Sequence, residues 1–389
     1  MKLFILLSRV PYPTEKGDKL RAFHQIRVLA EHHEIVLCAL SEGPVHPDAR
    51  RILGQYCKKV EIIPIWIPGM VWNVVKTFFN GLPLQTGYFY RSSAKRRIHK
   101  LISETKPDHI FCQLLRVTEY VRKIHSPKTL DYQDVFSTGI LRRLENSPAW
   151  KKPFFNLEYK RLLNYERAIF DDFDNLTIIS APDRDLIPHP DNQKIVVIPN
   201  GVEHNYFSPI ERPKTYDLVF TGNMGYPPNV DAAEFLANQI FPQVLKVQPY
   251  ARLLIAGATP HSRVTALRSD SVTVSGWVVD IRESYASSKI FIAPMRIGTG
   301  LQNKLLEAMS MKLPCITSPL ANSALGARVD KEILVGAEVN DYAAHIIRLL
   351  TDKKLAESIA ENGYLFVKDH YDWEKSTHML ENLFTATRS

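Results

Sequence analysis

The chain has 389 residues, 45% of them hydrophobic, and a formal net charge of +8. Two domains are natural at that length, and the apolar content suffices for two cores. The four cysteines (Cys38, Cys57, Cys112 and Cys315) lie without Cys-x-x-Cys or Cys/His spacing, which argues against a disulfide framework or a cysteine metal site and reads as buried free thiols in a reducing compartment.

Taken in order, Met1 to Leu7 is too short for a secretory signal and runs on without a cleavage site, so Leu3 to Leu7 is expected as the first strand of a sheet. A polar loop from Arg9 to Arg21, containing Gly17, leads to a helix ending near His32, and Glu34 to Leu40 is a second buried strand. Strand, loop, helix, strand is a parallel βαβ unit, and ligands of such sheets sit beyond the carboxyl ends of the strands, so the loop around Gly17 is a candidate contact.

The basic excess is uneven: residues 1–200 carry 30 Lys and Arg against 21 Asp and Glu, and residues 51–100 carry nine against one. That window also holds Ile62 to Trp72, Val74, Val75, Phe78 and Phe79, while Pro64, Pro68, Gly69 and Lys76 break any membrane-spanning run. It reads either as a segment lying in a membrane interface, with residues 62–100 in contact, or as a core strand followed by a solvated helix from Ser93 to Ser103. Basic residues beside an apolar Trp-rich run suit anionic lipid better than nucleic acid, which is not expected as a partner. A cytoplasmic location, with association at the inner face of the membrane, is the matching expectation.

Further strands are expected at His109 to Gln113, Thr129 to Tyr132 and Asn175 to Ser180, with a long helix from about Lys151 to Phe173. Asp134 then falls at a strand end, where a catalytic carboxylate would sit, or it caps a helix. The acidic runs Asp171-Asp172-Phe173-Asp174 and Asp183-Arg184-Asp185 read as solvated helix ends, and no metal is expected.

Ile198-Pro199-Asn200-Gly201-Val202 is a strand end with a turn, and the polar stretch from Glu211 to Thr215 precedes a new strand at Asp217 to Gly222. The domains expected are residues 1–203, with residues from about 371 to 389 as a helix packing back on them, and residues 204–370. The second half repeats the alternation, with Gly222-Asn223-Met224-Gly225 as a loop after its first strand. Strands follow at Arg252 to Gly257 and Val272 to Gly276, and Asp280 is expected to cap a helix.

Lys289 to Ala293 is a β-branched, aromatic run leading through a Gly-rich turn into apolar residues at helical spacing, so strand, turn and helix meet between Pro294 and Met309. Free backbone N–H groups and the positive end of a helix dipole favour a phosphate at such a point. Lys304 and Arg296 add positive charge. Glu307, on the same helical face as Lys304, could accept from two sugar hydroxyls. The same residues would also serve as an ordinary strand-loop-helix with a surface ion pair.

The pieces Ile198-Pro199-Asn200-Gly201-Val202, Gly276-Trp277-Val278 and Lys304-Leu305-Leu306-Glu307-Ala308-Met309 resemble glycosyltransferase family 4, of the GT-B fold. Gly17-Asp18-Lys19-Leu20-Arg21, Asp131-Tyr132-Gln133-Asp134 and Gly222-Asn223-Met224 with Pro228-Asn229 resemble, within it, the sugar transferases of bacterial exopolysaccharide and exosortase systems. The resemblance implies two Rossmann-like α/β domains facing each other across a cleft. It also implies retaining, metal-independent transfer of a sugar from a nucleotide-diphosphate donor to a lipid-linked or polysaccharide acceptor, with no cofactor.

By the same resemblance Glu307 would hold the ribose, Lys304 with the Gly222 and Asn223 amides the diphosphate, and the Trp277, Val278 and Val279 loop the base. The first of the family's two glutamates, eight positions apart, is replaced by Thr299, so the donor sugar would be read by Gly298, Thr299, Gly300 and Leu301 amides or by Gln302 and Asn303. The family's basic pair after the first strand of the second half is missing, which places the phosphate charge on Lys304 and Arg296. Its first-half histidine is not evident either, and Asp134 is the nearest substitute for orienting or deprotonating the acceptor. A nucleotide-sugar epimerase, a phosphorylase and a non-catalytic nucleotide- or nucleic-acid-binding protein are the competing readings.

Overall fold

Apolar runs long enough to be buried on both faces dictate parallel sheets flanked by helices, and the chain forms two. In the computed structural model, residues 1–65, 77, 81–145, 147–298 and 300–386 are described. The chain divides into two compact units, Met1–Pro199 with Trp373–Ser389, and Asn200–Asp372.

The first unit is built on β1 (Lys2–Leu7), β2 (Glu34–Ser41), β3 (Lys59–Pro64), β4 (His109–Gln113), β5 (Lys128–Asp131), β6 (Asn175–Ile178) and β7 (Val196–Val197). The order is β3-β2-β1-β4-β5-β6-β7, parallel throughout, with Leu3 between Ile35 and His109. Because side chains alternate along a strand, Phe4 and Leu6 join one apolar layer while Leu3, Ile5 and Leu7 join the other. The second layer is completed by Leu380 and Phe384 of the C-terminal helix. That helix (Trp373–Ala386) lies on α1 (Gly17–Leu29), with the Trp373 ring stacked 4.8 Å from His24.

The second unit repeats the winding with β8 (Tyr216–Thr221), β9 (Leu253–Ala256), β10 (Val272–Gly276), β11 (Ser288–Ala293), β12 (Cys315–Thr317) and β13 (Leu334–Val335), ordered β10-β9-β8-β11-β12-β13 and parallel. In each sheet the strand order reverses beside the first strand, between β1 and β4 and between β8 and β11. Loops leaving a sheet at such a point diverge and open a crevice at the strand ends.

The structure corrects several expectations. The loop after β1 is shorter than expected, because α1 begins at Gly17 and takes Asp18 to Arg21 into its first turns. Of the two readings of the basic, apolar window, residues 62–65 fit the core strand: Ile62 and Ile63 of β3 and Ile65 just after it are buried, and the helix Ser92–Thr105 buries Ala94, Ile98 and Leu101. Residues 66–76 and 78–80, the rest of that apolar run, lie outside the described residues. An unforeseen helix, α2 (Phe136–Glu145), precedes the long one, α3, which is confined to Lys152–Ala168. The four cysteines are buried free thiols.

Candidate functional site

The turn after β11 opens at Gly298, whose φ of +101° is a backbone conformation that L side chains rarely adopt. A Cβ on Gly298 or Gly300 would meet nothing within 4 Å, so the loop borders open space. α4 (Asn303–Ser310) follows with no side chain capping its first turn, which leaves backbone N–H groups and the positive dipole end for a ligand.

Lys304 points from α4 toward the end of β8. Its Nζ donates to Asn229 Oδ1 at 2.5 Å and lies 4.8 Å from the Phe220 ring centroid. The protein packed around it lowers the ammonium pKa to about 7, against the pull of Glu307. Gly222 makes room for it: a Cβ there would fall 3.3 Å from Nζ and 2.8 Å from Asn229 Nδ2. Gly257 is needed in turn, because its Cβ would fall 1.7 Å from the Gly222 carbonyl oxygen. One turn along α4, Glu307 Oε2 accepts from the Tyr285 hydroxyl at 2.7 Å, and that hydroxyl lies 2.8 Å from Thr221 Oγ1. Burial raises the Glu307 pKa, while Tyr285 and Lys304 oppose the rise. Lys304 and Glu307 thus share a face, but each has its own protein partner.

The other expected residues fall into distinct positions. The Gly222 N–H donates to the Ala256 carbonyl at 3.1 Å. Asn223 Oδ1 accepts from the Gly225 N–H and the Thr259 hydroxyl, which shapes the loop. Arg296 is paired in bidentate fashion with Asp231 at 2.6 and 3.0 Å and lies 4.4 Å from the Phe235 ring centroid, so its charge is already compensated. Leu301 packs against the core, Gln302 donates to the Gly300 carbonyl, and Asn303 accepts from Asn200. Thr299 lies outside the described residues. At the end of β10, Trp277 is 69% and Val279 87% exposed, Val278 is half-buried, and Asp280 caps the helix Ile281–Ala286.

In the first unit, Asp134 follows β5 and its side chain reaches solvent, with Oδ1 accepting from the Val135 N–H. It does not cap α2. Surrounding protein and Asp183 push its pKa up to about 6, against the Val135 N–H, Arg142 and Arg116. The residue before it, Gln133, is buried in a left-handed conformation (φ +62°), and its Nε2 finds no hydrogen-bond partner among the described residues. Leu114, after β4, is also left-handed (φ +67°). Strain held at adjacent strand ends marks positions that the surrounding structure over-determines.

Arg21, wholly buried in α1, bonds Asp131 at the end of β5 through Nε at 2.7 Å and Nη2 at 3.2 Å, and Thr177 donates to the same carboxylate. The pair ties the helix that begins at Gly17 to the strand that precedes Asp134. A Cβ on Gly17 would meet nothing within 4 Å. Near it, Arg9, Tyr12, Lys16, Lys19, Glu42 and His46 line a cavity of about 170 Å³.

Arg21, Asp131 and Asn229 stand in the motifs that carry the resemblance but were assigned no role there, and Tyr285 was not singled out by the sequence. Asn229 stands in the Pro-Pro-Asn run opening the helix Pro227–Phe235 and Arg21 on the helix after Gly17, so signals existed for those two. Tyr285 carries none, since a tyrosine on a short amphipathic helix reads as core. Of the acidic runs, Asp172 pairs with Arg122, Asp174 accepts from the Lys128 N–H, and Asp183 bonds Ser180.

Residues 215–352 match the family model for group 1 glycosyl transferases. The chain is 22% identical, over 96% of its length and 97% of the relative's, to an uncharacterised 44.6 kDa protein in the cps region of Klebsiella pneumoniae. Sucrose-phosphate synthase from Thermosynechococcus elongatus superposes with a TM-score of 0.72 at 16% identity, covering 100% of this chain and 99% of that one. HepE from Anabaena, solved with UDP and glucose, superposes at 0.69 with 12% identity, covering 99% of each chain. The chain therefore has the two-domain, parallel-sheet α/β fold of the GT-B glycosyltransferases, and its second unit carries the sequence signature of group 1 glycosyl transferases.

Proposed function

We propose that this protein transfers a sugar from a nucleoside-diphosphate donor to a lipid-linked or polysaccharide acceptor in cell-surface polysaccharide synthesis, with retention of configuration and without a metal. The observation that carries this reading is the placement of Lys304 and Glu307 one turn apart on α4, beside the Gly222–Gly257 contact at the point where the second sheet reverses its order. The relative in a cps region and the bound UDP and glucose of HepE support it.

In this reading the acceptor oxygen bonds to the anomeric carbon as the bond from that carbon to the diphosphate breaks. The leaving diphosphate takes the electron pair. Lys304 and the first N–H groups of α4 offset the charge that builds on it. Glu307 accepts from the ribose hydroxyls, oriented by Tyr285. Trp277 and Val279 offer exposed apolar surface to the base. Asp134, with its raised pKa, takes the acceptor proton or orients the hydroxyl that carries it.

The experiment is a screen of nucleoside diphosphates and their sugars by thermal shift, followed by transfer assays with membrane extract. Tight binding of one diphosphate, lost in Lys304→Ala, is expected. An enzyme that interconverts the bound sugar with no acceptor present would instead be an epimerase, and full turnover by Lys304→Ala would remove the phosphate role.

A lipid-proximal acceptor is favoured by one surface. Trp150, Phe154 and Leu157 are exposed at helical spacing along the start of α3, with Lys151, Lys152 and Lys160 exposed beside them. An apolar stripe edged by cations suits an anionic bilayer surface. No described helix is long and apolar enough to cross a membrane.

A further inference from the structure

One cluster of metal-ligating side chains takes no part in that reading. Beyond the end of α1 stand His32 and His33. Facing them, on α5 (the C-terminal helix, Trp373–Ala386), are His378 and Glu381, three residues apart and so on one face. His32 Nδ1 lies 3.2 Å from Glu381 Oε1, and His378 Nδ1 lies 2.9 Å from Glu381 Oε2. One ligand atom from each of the three residues falls within 4.8 Å of the others. The two imidazole rings lie side by side, with centroids 5.8 Å apart and planes 29° from parallel.

We propose that His32, His378 and Glu381 bind a zinc ion that staples the C-terminal helix to α1. Two imidazoles and one carboxylate are a donor set that suits zinc, whose protein ligands are nitrogen, sulfur and oxygen in a tetrahedral shell. Ligand atoms held at roughly 2 Å from a tetrahedral ion stand roughly 3.3 Å from one another. Each imidazole already stands near that distance from one oxygen of Glu381, His32 from Oε1 and His378 from Oε2, and the remaining separations, up to 4.8 Å, close by small rotations of the carboxylate and of two rings that are about half exposed. Solvent exposure of His32 and His378 also leaves the fourth position open to water.

The neighbour His33 supports the arrangement. It is nearly buried, and its Nε2 lies 2.8 Å from Glu381 Oε1, the oxygen that also faces His32. The consequence is topological. α5 begins at Trp373, directly after the second unit ends at Asp372, so an ion shared by residues 349 positions apart fastens the return of the chain to the first unit. Without metal, the same three residues form a hydrogen-bonded clamp, and the two arrangements differ in what they bind.

The test uses the full chain, freed of any affinity tag and stripped with a chelator. Zinc titration by calorimetry is expected to give one equivalent per chain, and cobalt in its place should show the visible absorption of a four-coordinate site. Saturating zinc should raise the Tm by several degrees. His32→Ala and His378→Ala should each lose at least about tenfold in zinc affinity. Their Tm in chelator should stay close to that of the stripped wild type, which shows that they fold. Glu381→Gln, which keeps the shape and removes the ligand charge, should behave alike. Zinc affinity unchanged in these variants, or no saturable binding by the wild type, overturns the proposal. Both readouts are independent of sugar transfer.

Discussion

At the scale of single residues, the two most informative groups are ones whose protonation the protein has moved. Lys304 must be charged to offset a diphosphate, and its pKa is lowered to about 7; Asp134 must be ionised to accept a proton, and its pKa is raised to about 6. Below 6 the carboxyl is protonated and above 7 the ammonium is lost. The profile of kcat/KM against pH is therefore expected to be a narrow bell with limbs near these values. Asp134→Asn should remove the acid limb along with most activity, and a profile without an acid limb in the wild type would exclude Asp134 as the base. Lys304→Ala should lower kcat/KM by about 10²- to 10³-fold, corresponding to roughly 2.7–4 kcal/mol of transition-state stabilisation. Arg296→Ala should cost much less, because its charge is already matched by Asp231.

At the scale of elements, buried charge decides how the strand ends are held. Arg21 and Asp131 are both fully buried and join α1 to β5. Arg21→Met would strand the carboxylate without its partner, and a loss of about 3–5 kcal/mol in unfolding free energy is expected by denaturant titration. Glu166, buried in α3, accepts from the Ser137 N–H in the first turn of α2, and burial raises its pKa from 4.5 to about 7. The folded pKa exceeds the unfolded one, so the native state holds the proton more tightly. The contribution is full below pH 4.5 and is lost as pH rises through 7. Glu166→Gln should flatten that fall, and at pH 8 it should gain up to about 3 kcal/mol over the wild type. A fall of equal depth in the variant would mean that other groups cause it.

At the scale of the whole molecule, the same winding occurs twice, and each sheet reverses its strand order beside its first strand. The basic excess belongs to residues 1–200, and the exposed stripe at Trp150, Phe154 and Leu157 belongs to that unit. Co-sedimentation with vesicles rich in anionic lipid is expected, weakening with salt and lost in Trp150→Ala/Phe154→Ala. Equal binding to neutral vesicles, or no effect of the pair, would place any membrane contact elsewhere.

The alternation of strands and helices, the turn after β11 and the helix that follows it were legible in the sequence because each rests on local causes: a β-branched run, a glycine, an apolar period. The division near Asn200 was legible for the same reason, since Pro-Asn-Gly punctuates the backbone wherever it occurs. Residues 62–65 left two readings open because a basic, apolar window looks alike in a core strand and at a membrane, and the neighbours of β3 are what bury Ile62 and Ile63. What the tertiary structure alone decided is the partner of each charge. Asp231 claims Arg296 across 65 positions, Asn229 takes Lys304 across 75, and Asp131 takes Arg21 across 110. Sequence order carries no record of such pairings. The packing that shifts Lys304 toward neutral pH, and the Asp183 carboxylate that helps to raise Asp134, are brought into place only once the chain has folded.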